Sequence, residues 1–306
     1  MYFLGVDGGG TKTRVIIINE NKKQIYEGIS GPSSVDTVSL DISIKHINEA
    51  LSDFFKEHKS TVFASIFIGV GGIVFDQQKN QLKEQASNLL GYAQDTIIHV
   101  ENDMYNSLFS GGHFDQGMSL ICGTGMVAFG MNKQNNTHKS GGWGYKEGEL
   151  GSGYSLGFSA IQYMIRAYDG RYEIDDFAKE VAHEVNLKQA SDIVPIMDDL
   201  HQNRTKVASL APIVTKYANK DHIQALEIVE RATDEIALAV KSVYKHLNFE
   251  SKVSLVMIGS LGHAPGAFRD KLLNKISLIS DDLNVIDPLY DPAYAAALYA
   301  RFKCLK

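Results

Sequence analysis

The sequence predicts an α/β protein that folds as two lobes. Short apolar runs of strand length alternate with amphipathic stretches of helical length, which is typical of α/β sheets. A hairpin with a glycine and threonine turn occurs twice, once near the start of each half. The chain has 306 residues, more than one core usually organises, and its 44% hydrophobic content is enough for two cores.

The first half predicts three strands, followed by alternating helices and strands. The strands are expected at 2–6, 15–18, 24–29, 64–70 and 96–100, and the helices at 39–57, 77–90 and 104–108. The second half predicts a strand pair, a mostly helical segment and a final α/β portion. Its strands are expected at 118–122, 126–131, 253–258 and 285–286, and its helices at 155–167, 175–184, 188–200, 206–218, 221–247, 265–278 and 291–302.

The turn between the first two strands predicts a phosphate-binding site. Glycines adopt tight turns at little steric cost and let an anion approach several backbone N–H groups, while hydroxyls and a lysine add polar contacts. The residues concerned are Gly8, Gly9, Gly10, Thr11, Lys12 and Thr13. Asp7 ends the first strand and could hold the magnesium ion that accompanies a nucleotide. An ordinary glycine-rich hairpin would have the same pattern.

The second half repeats this turn at Gly123, Thr124 and Gly125. Neither turn has the Gly-Lys-Ser/Thr sequence of a Walker A loop. Neither opens a helix as the dinucleotide fingerprint does, since each joins strand to strand. The repetition favours phosphate binding over chance.

Five short motifs together resemble the sugar-kinase, heat-shock-protein and actin superfamily, and within it the N-acetylglucosamine kinase and BadF/BadG/BcrA/BcrD-type ATPase family. The motifs are 7–13, 102–103, 123–125, 141–144 and 259–262. The resemblance implies two actin-like, ribonuclease H-like lobes with a nucleotide cleft between them. It places the first lobe at 1–115, with a returning C-terminal helix at 290–306, and the second at 116–289. It also implies ATP and Mg²⁺ as cofactors.

The resemblance assigns Asp103 as the base that takes a proton from a sugar hydroxyl attacking the γ-phosphate. An aspartate directly before a helix could instead be its N-cap, or be both. Gly259 and Gly262 match a turn that contacts adenosine, and Lys220 matches a turn on the other side of the adenine.

The same resemblance assigns a sugar site to Ser34, Gly142, Trp143, Gly144 and Glu149, with Asp103. Two of these positions, and the neighbouring position 150, depart from the family pattern. Ser34 stands where an asparagine is usual, Glu149 where an aspartate is usual, and Leu150 where a glutamate is usual. The departures indicate retained ATP chemistry on an altered acceptor.

We therefore expect a kinase acting on an amino sugar, N-acetylglucosamine first. The alternatives are N-acetylmuramate or another amino sugar, a BadF/BadG-type ATPase or activator, and a non-catalytic sugar sensor. A formal net charge of -6 without a basic run argues against nucleic acid as a partner. The sequence shows no membrane-length apolar run and no signal segment, and its two cysteines suggest a reducing compartment, so we expect a cytoplasmic protein. The helical segments predict an oligomer contact, and we expect a homodimer.

Overall fold

The computed structural model describes residues 1–144 and 150–306. It divides into two compact units. Unit 1 comprises Met1–Phe114 and Pro288–Lys306, and unit 2 comprises Asp115–Asp287. Both units are α/β, which confirms the predicted fold class.

Ten strands and eleven α-helices are found among the described residues. In chain order they are β1 (Tyr2–Gly8), β2 (Thr13–Asn19), β3 (Gln24–Ser30), α1 (Leu40–Glu57), β4 (Phe63–Val70), α2 (Asp76–Gln85), β5 (Ile97–Asn102), α3 (Met104–Phe109), β6 (Gly117–Cys122), β7 (Met126–Met131), β8 (Thr137–Gly141), α4 (Gly153–Tyr168), α5 (Asp176–Glu184), α6 (Ile193–Gln202), α7 (Arg204–Ala208), α8 (Ala211–Ala218), α9 (Ile223–Leu247), β9 (Val253–Ile258), α10 (Ala267–Ser277), β10 (Leu283–Ile286) and α11 (Pro292–Cys304).

Unit 1 contains a five-stranded sheet of order β3-β2-β1-β4-β5. The β1–β2 and β2–β3 pairs are antiparallel, whereas β4 is parallel to both β1 and β5. Helix α1 buries Ile47, Leu51 and Phe54 on one face of this sheet. Helix α11 packs on the other face and approaches β1 at Gly5. The parallel strands end at one edge, where Asp7, Val70 and Asn102 lie, and this edge carries the candidate catalytic residues.

Unit 2 contains a sheet of order β10-β9-β6-β7-β8. Read from β8, this is the order of the first sheet: an antiparallel hairpin, then two parallel strands. The predicted hairpins are β1–β2 and β6–β7, so the two glycine turns occupy equivalent places. Helices α4 to α10 pack around the core of this sheet.

The secondary structure of unit 2 differs from the prediction in three places. Strand β8 was not predicted, because it pairs only with β7 at the sheet edge and lacks an apolar run. The helix expected at 206–218 is two helices, α7 and α8, separated at 209–210. The helix expected at 188–200 is a short 3-10 turn, Ala190–Asp192, followed by α6.

No helix in the described ranges is long and apolar enough to span a membrane.

Candidate active site

The β1–β2 turn is held in place by the loop that follows β3. The N–H of Gly9 donates to Lys12 O at 2.9 Å, and the N–H groups of Ser33 and Ser34 both donate to Gly9 O at 3.1 Å. A Cβ added to Gly8 would lie 2.2 Å from Ser33 Oγ, so only glycine fits there. The tip of the turn, residues 10–12, is exposed. The turn is therefore fixed at its base and accessible at its tip, as an anion site requires.

Thr13 differs from the other residues of this turn. Its side chain is fully buried. Its hydroxyl forms hydrogen bonds with Gly31 O at 2.6 Å and Ser33 Oγ at 2.7 Å. Because both contacts are made within the protein, the Thr13 hydroxyl stabilises the turn from its buried side.

Asp7 is oriented by a residue that the sequence did not single out. Asn106 Nδ2 donates to Asp7 Oδ1 at 2.7 Å and also contacts Val6 O at 3.1 Å and Gly69 O at 3.3 Å. Asn106 is fully buried on α3, and asparagine on a helix gives no sequence signal for such a role. Burial raises the pKa of Asp7, and the Asn106 hydrogen bond opposes that rise.

The surroundings of Asp7 fit a magnesium ion held by a single protein carboxylate, and not a metal site built from several protein ligands. A carboxylate is the hard oxygen ligand that Mg²⁺ prefers, and Mg²⁺ commonly keeps water and phosphate oxygens as its other ligands. Within 1–144 and 150–306, no group of three or more His, Cys, Asp or Glu side chains is placed to hold a metal. Asp7 fits a magnesium ion that arrives with a nucleotide.

Asp103 follows β5 and stands at the N terminus of α3. Its N–H donates to Val70 O at 3.2 Å, but its side chain makes no capping hydrogen bond. Asn102 Oδ1 instead accepts from Met104 N at 3.0 Å. Burial, with the nearby charges of Asp7 and Asp36, raises the pKa of Asp103 to about 6. The carboxylate is not needed to cap the helix and is suited to accept a proton near neutral pH.

The Gly71–Gly72 turn after β4 brings three polar side chains together. A Cβ added to Gly71 would lie 2.9 Å from Ser34 Oγ and 3.3 Å from Asp103 Oδ2. One added to Gly72 would lie 2.6 Å from Asp36 Cγ. Glycine at these two positions lets the three side chains approach the backbone of the turn closely. Asp36 was not predicted, because an aspartate in a loop carries no distinguishing pattern.

The equivalent turn of unit 2 packs against α4 and the end of β9. Gly123 O accepts from Gly153 N at 2.7 Å, and Thr124 O accepts from Tyr154 N at 3.2 Å. The third residue of the turn, Gly125, closes it, since its O accepts from Gly123 N at 3.0 Å. Gly259 has a φ of 99°, and a Cβ there would lie 2.4 Å from Cys122 O. The β6–β7 turn and the β9 end are thus in backbone contact.

A cavity of about 430 Å³ lies beside this turn within unit 2. Its side chains are apolar or hydroxyl-bearing: Gly123, Thr124, Gly153, Thr205, Ala208, Ser209, Ala211, Pro212, Thr215, Ser260, Leu261, Ala264 and Pro265. Such a lining suits a flat, largely apolar ring with polar edges. The α7 and α8 residues were missed, because periodicity identifies a helix but not which of its residues meet a ligand.

The three predicted adenosine residues, Gly259, Gly262 and Lys220, are not among the residues that line this cavity. Gly262 N donates to Cys122 O at 3.1 Å, so Gly259 and Gly262 together position Ser260 and Leu261. Lys220 is exposed, with its Nζ 5.1 Å from the centre of the Tyr217 ring.

The predicted sugar loop borders a second cavity of unit 2, of about 310 Å³. Gly142, Trp143 and Gly144 line it with Leu150 and residues of α9. Trp143 is 67% exposed, and Lys139 Nζ lies 3.7 Å from the centre of its ring. Glu149 lies outside the described residues. An exposed ring beside a cavity is suited to contact a sugar face.

The two sheets of one topology, each with a glycine turn in its hairpin, define a duplicated α/β fold of the actin-like class. The sequence pattern of the BadF/BadG/BcrA/BcrD ATPase family matches residues 4–300, and the chain belongs to that family. The predicted membership is confirmed.

Two curated relatives match nearly the whole chain. An N-acetyl-D-glucosamine kinase of Dictyostelium discoideum is 29% identical, with 97% of each chain covered. An N-acetylmuramic acid/N-acetylglucosamine kinase of Clostridium acetobutylicum is 27% identical, with 99% of each covered. Among solved structures, a provisionally assigned N-acetylglucosamine kinase of Chromobacterium violaceum superposes with a TM-score of 0.76 at 22% identity, covering 98% of each chain, which supports the fold.

Proposed function

We propose that the chain is an ATP-dependent kinase that phosphorylates an amino sugar, with N-acetylglucosamine as the acceptor. The observation that carries the proposal is the Asp103 carboxylate, which lies close to Gly71 and Ser34 and makes no capping hydrogen bond to α3. The family and the two kinase relatives support this assignment.

In this proposal the 430 Å³ cavity of unit 2 takes the nucleoside of ATP, and the backbone N–H groups of Thr124 and Gly125 beside it bind phosphate. The exposed tip of the β1–β2 turn, residues 10–12, is the phosphate-binding segment of unit 1. Asp103 accepts the proton of the sugar hydroxyl. The hydroxyl oxygen forms a bond to the γ-phosphorus as the bond to the bridging oxygen of ADP breaks. Asp7 would hold Mg²⁺, which when bound neutralises phosphate charge.

The charges of unit 1 favour a neutral acceptor. Asp7, Asp36 and Asp103 lie close enough that the first two raise the pKa of the third. N-acetylglucosamine is uncharged, whereas N-acetylmuramate carries a carboxylate that these residues would repel. The Clostridium relative, whose name includes both sugars, keeps N-acetylmuramate as the second candidate. The sugar contacts of Ser34, Trp143 and Glu149, the homodimer and the cytoplasmic location stay predictions.

The test measures ADP release with ATP and magnesium for N-acetylglucosamine, N-acetylmuramate, glucosamine and no sugar. We expect stimulation by N-acetylglucosamine that Asp103→Asn abolishes, since an amide cannot accept the proton, while ATP binding persists. Asp53→Asn is the matched control, because Asp53 is an exposed α1 carboxylate paired with Lys56. Hydrolysis indifferent to every sugar would instead identify an ATPase, and no turnover would identify a sensor.

A further inference from the structure

One side-chain amide joins two segments that line the 430 Å³ cavity of unit 2. Asn219 directly follows α8, which contributes Ala211, Pro212 and Thr215 to the lining. The segment between β9 and α10 contributes Ser260, Leu261, Ala264 and Pro265. We infer that Asn219 is a positioning residue that sets the width of the nucleoside site. The inference rests on the proposed use of this cavity by ATP.

The contacts of Asn219 use both ends of its amide. Nδ2 donates to Pro265 O at 2.9 Å, and Oδ1 accepts from Ala267 N at 2.8 Å. The Ala267 N–H is one of the first N–H groups of α10, which have no partner within their own helix. Asn219 therefore ties the end of α8 to the last cavity residue and to the start of the next helix.

The chain accommodates this contact at Gly266. Gly266 has a φ of 86°, and a Cβ there would lie 2.3 Å from Asn219 Oδ1. A side chain at 266 would both strain the backbone and displace the amide. A side chain of the same size, such as aspartate or leucine, cannot make both contacts, because they need one donor and one acceptor on the same carbon atom.

The effect of Asn219 falls on the cavity more than on overall stability. The residue is exposed, so its loss creates no buried void and leaves no buried charge. Without the amide, the segments that carry Pro265 and Thr215 are free to separate. Binding of the base must then order these segments, which lowers the affinity. The loss of two hydrogen bonds corresponds to a change in affinity of about tenfold.

The experiment measures the Kd for ATP by calorimetry, and kcat and KM for both substrates, in wild type and two variants. Asn219→Ala should raise Kd and KM for ATP about tenfold, with kcat and the KM for sugar unchanged. Asn219→Asp retains the acceptor for Ala267 N, loses the donor to Pro265 O and places a negative charge at the N terminus of α10. Its Tm should therefore not fall, while its Kd for ATP still rises.

Asn132→Ala is the matched control. Asn132 Nδ2 donates to Leu247 O at 3.0 Å, and its Oδ1 accepts from Gln134 N and Asn136 N, so it also ties a turn to a helix end. It does not line the cavity. We expect a lower Tm and an unchanged Kd for ATP.

Unchanged ATP affinity in both Asn219 variants would overturn the inference alone. An equal rise in Kd for Asn132→Ala would also overturn it, because a general loss of structure would then explain the effect. If the wild-type protein binds no ATP, the proposed nucleotide site and this inference are both wrong.

Discussion

Asp103 combines two properties that an ordinary helix N terminus does not need. Its carboxylate makes no capping hydrogen bond, since Asn102 accepts from Met104 N, and it lies near two other carboxylates. Burial disfavours its charged form, and the negative charges of Asp7 and Asp36 add to that effect. A base with a pKa near working pH transfers protons efficiently in both directions.

The acid limb of the pH profile of kcat/KM should follow the pKa of Asp103. A base works only when ionised, so activity should fall as pH drops through the pKa of Asp103, at about 6. Asp36→Asn removes a negative neighbour, which stabilises ionised Asp103 and lowers its pKa. The acid limb should therefore move to lower pH, most clearly at low ionic strength, where screening is weakest.

This comparison is made at one ATP concentration, so that the titration of ATP itself affects both profiles equally. Asp53→Asn, distant from these contacts on the exposed side of α1, should leave the acid limb in place. An acid limb that stays at the wild-type position in Asp36→Asn would show that Asp36 does not act on the base.

Secondary structure elements were predictable where their own residues carry the signal. The largely apolar run of β9 predicted a strand with the same bounds as observed, and the amphipathic pattern of α9 predicted its length within two residues. Strand β8 was missed because its partner β7, and not its own composition, makes it a strand. The break between α7 and α8 comes just before Pro212, which lies in the first turn of α8, where a helix accepts proline.

The candidate site shows the same limit. Asp7, Ser34 and Asp103 were named in advance because motifs mark them, and the structure places them at one edge of the unit 1 sheet. Asn106 and Asp36 carry no motif and become visible only through their distances to those residues. Glu149 lies outside the described residues, so its contribution stays a prediction.

At the element scale, the contact between β9 and the β6–β7 turn depends on Gly259. An alanine there would combine an unfavourable positive φ with a clash against Cys122 O, only 2.4 Å from the added Cβ. We expect Gly259→Ala to lower the free energy of unfolding of unit 2 by about 3 kcal/mol, followed by urea unfolding.

Gly170→Ala separates the cost of the positive φ from the cost of the clash. Gly170 also has a positive φ, of 86°, but a Cβ there meets nothing within 4 Å. This variant should lose about 1 kcal/mol, the cost of the backbone conformation alone. Equal losses in both variants would mean that the Cys122 contact contributes nothing beyond the strain.

The whole chain consists of two units of the same sheet order, but only unit 1 is assembled from both ends of the sequence. Its final helix, α11, buries a series of alanines against β1 and β4. Small residues allow this helix to approach the sheet closely. Unit 1 therefore depends on contacts between strands near the start of the chain and a helix that begins at Pro292, whereas unit 2 is continuous.

Gly5→Ala tests whether this contact holds unit 1 together. A Cβ on Gly5 would lie 2.2 Å from both Ala293 O and Ala297 N, which are backbone atoms that cannot rotate away. Helix α11 must then shift, and the apolar face of the sheet loses its cover. Hydrogen exchange should show reduced protection across 1–114 and 288–306, with protection in 115–287 retained.

Gly9→Ala is the control. Its Cβ meets Lys12 O at an ordinary 3.5 Å, so this variant should leave both units protected. An equal loss of protection in both units of Gly5→Ala would show that they unfold as one, because the clash itself lies wholly within unit 1.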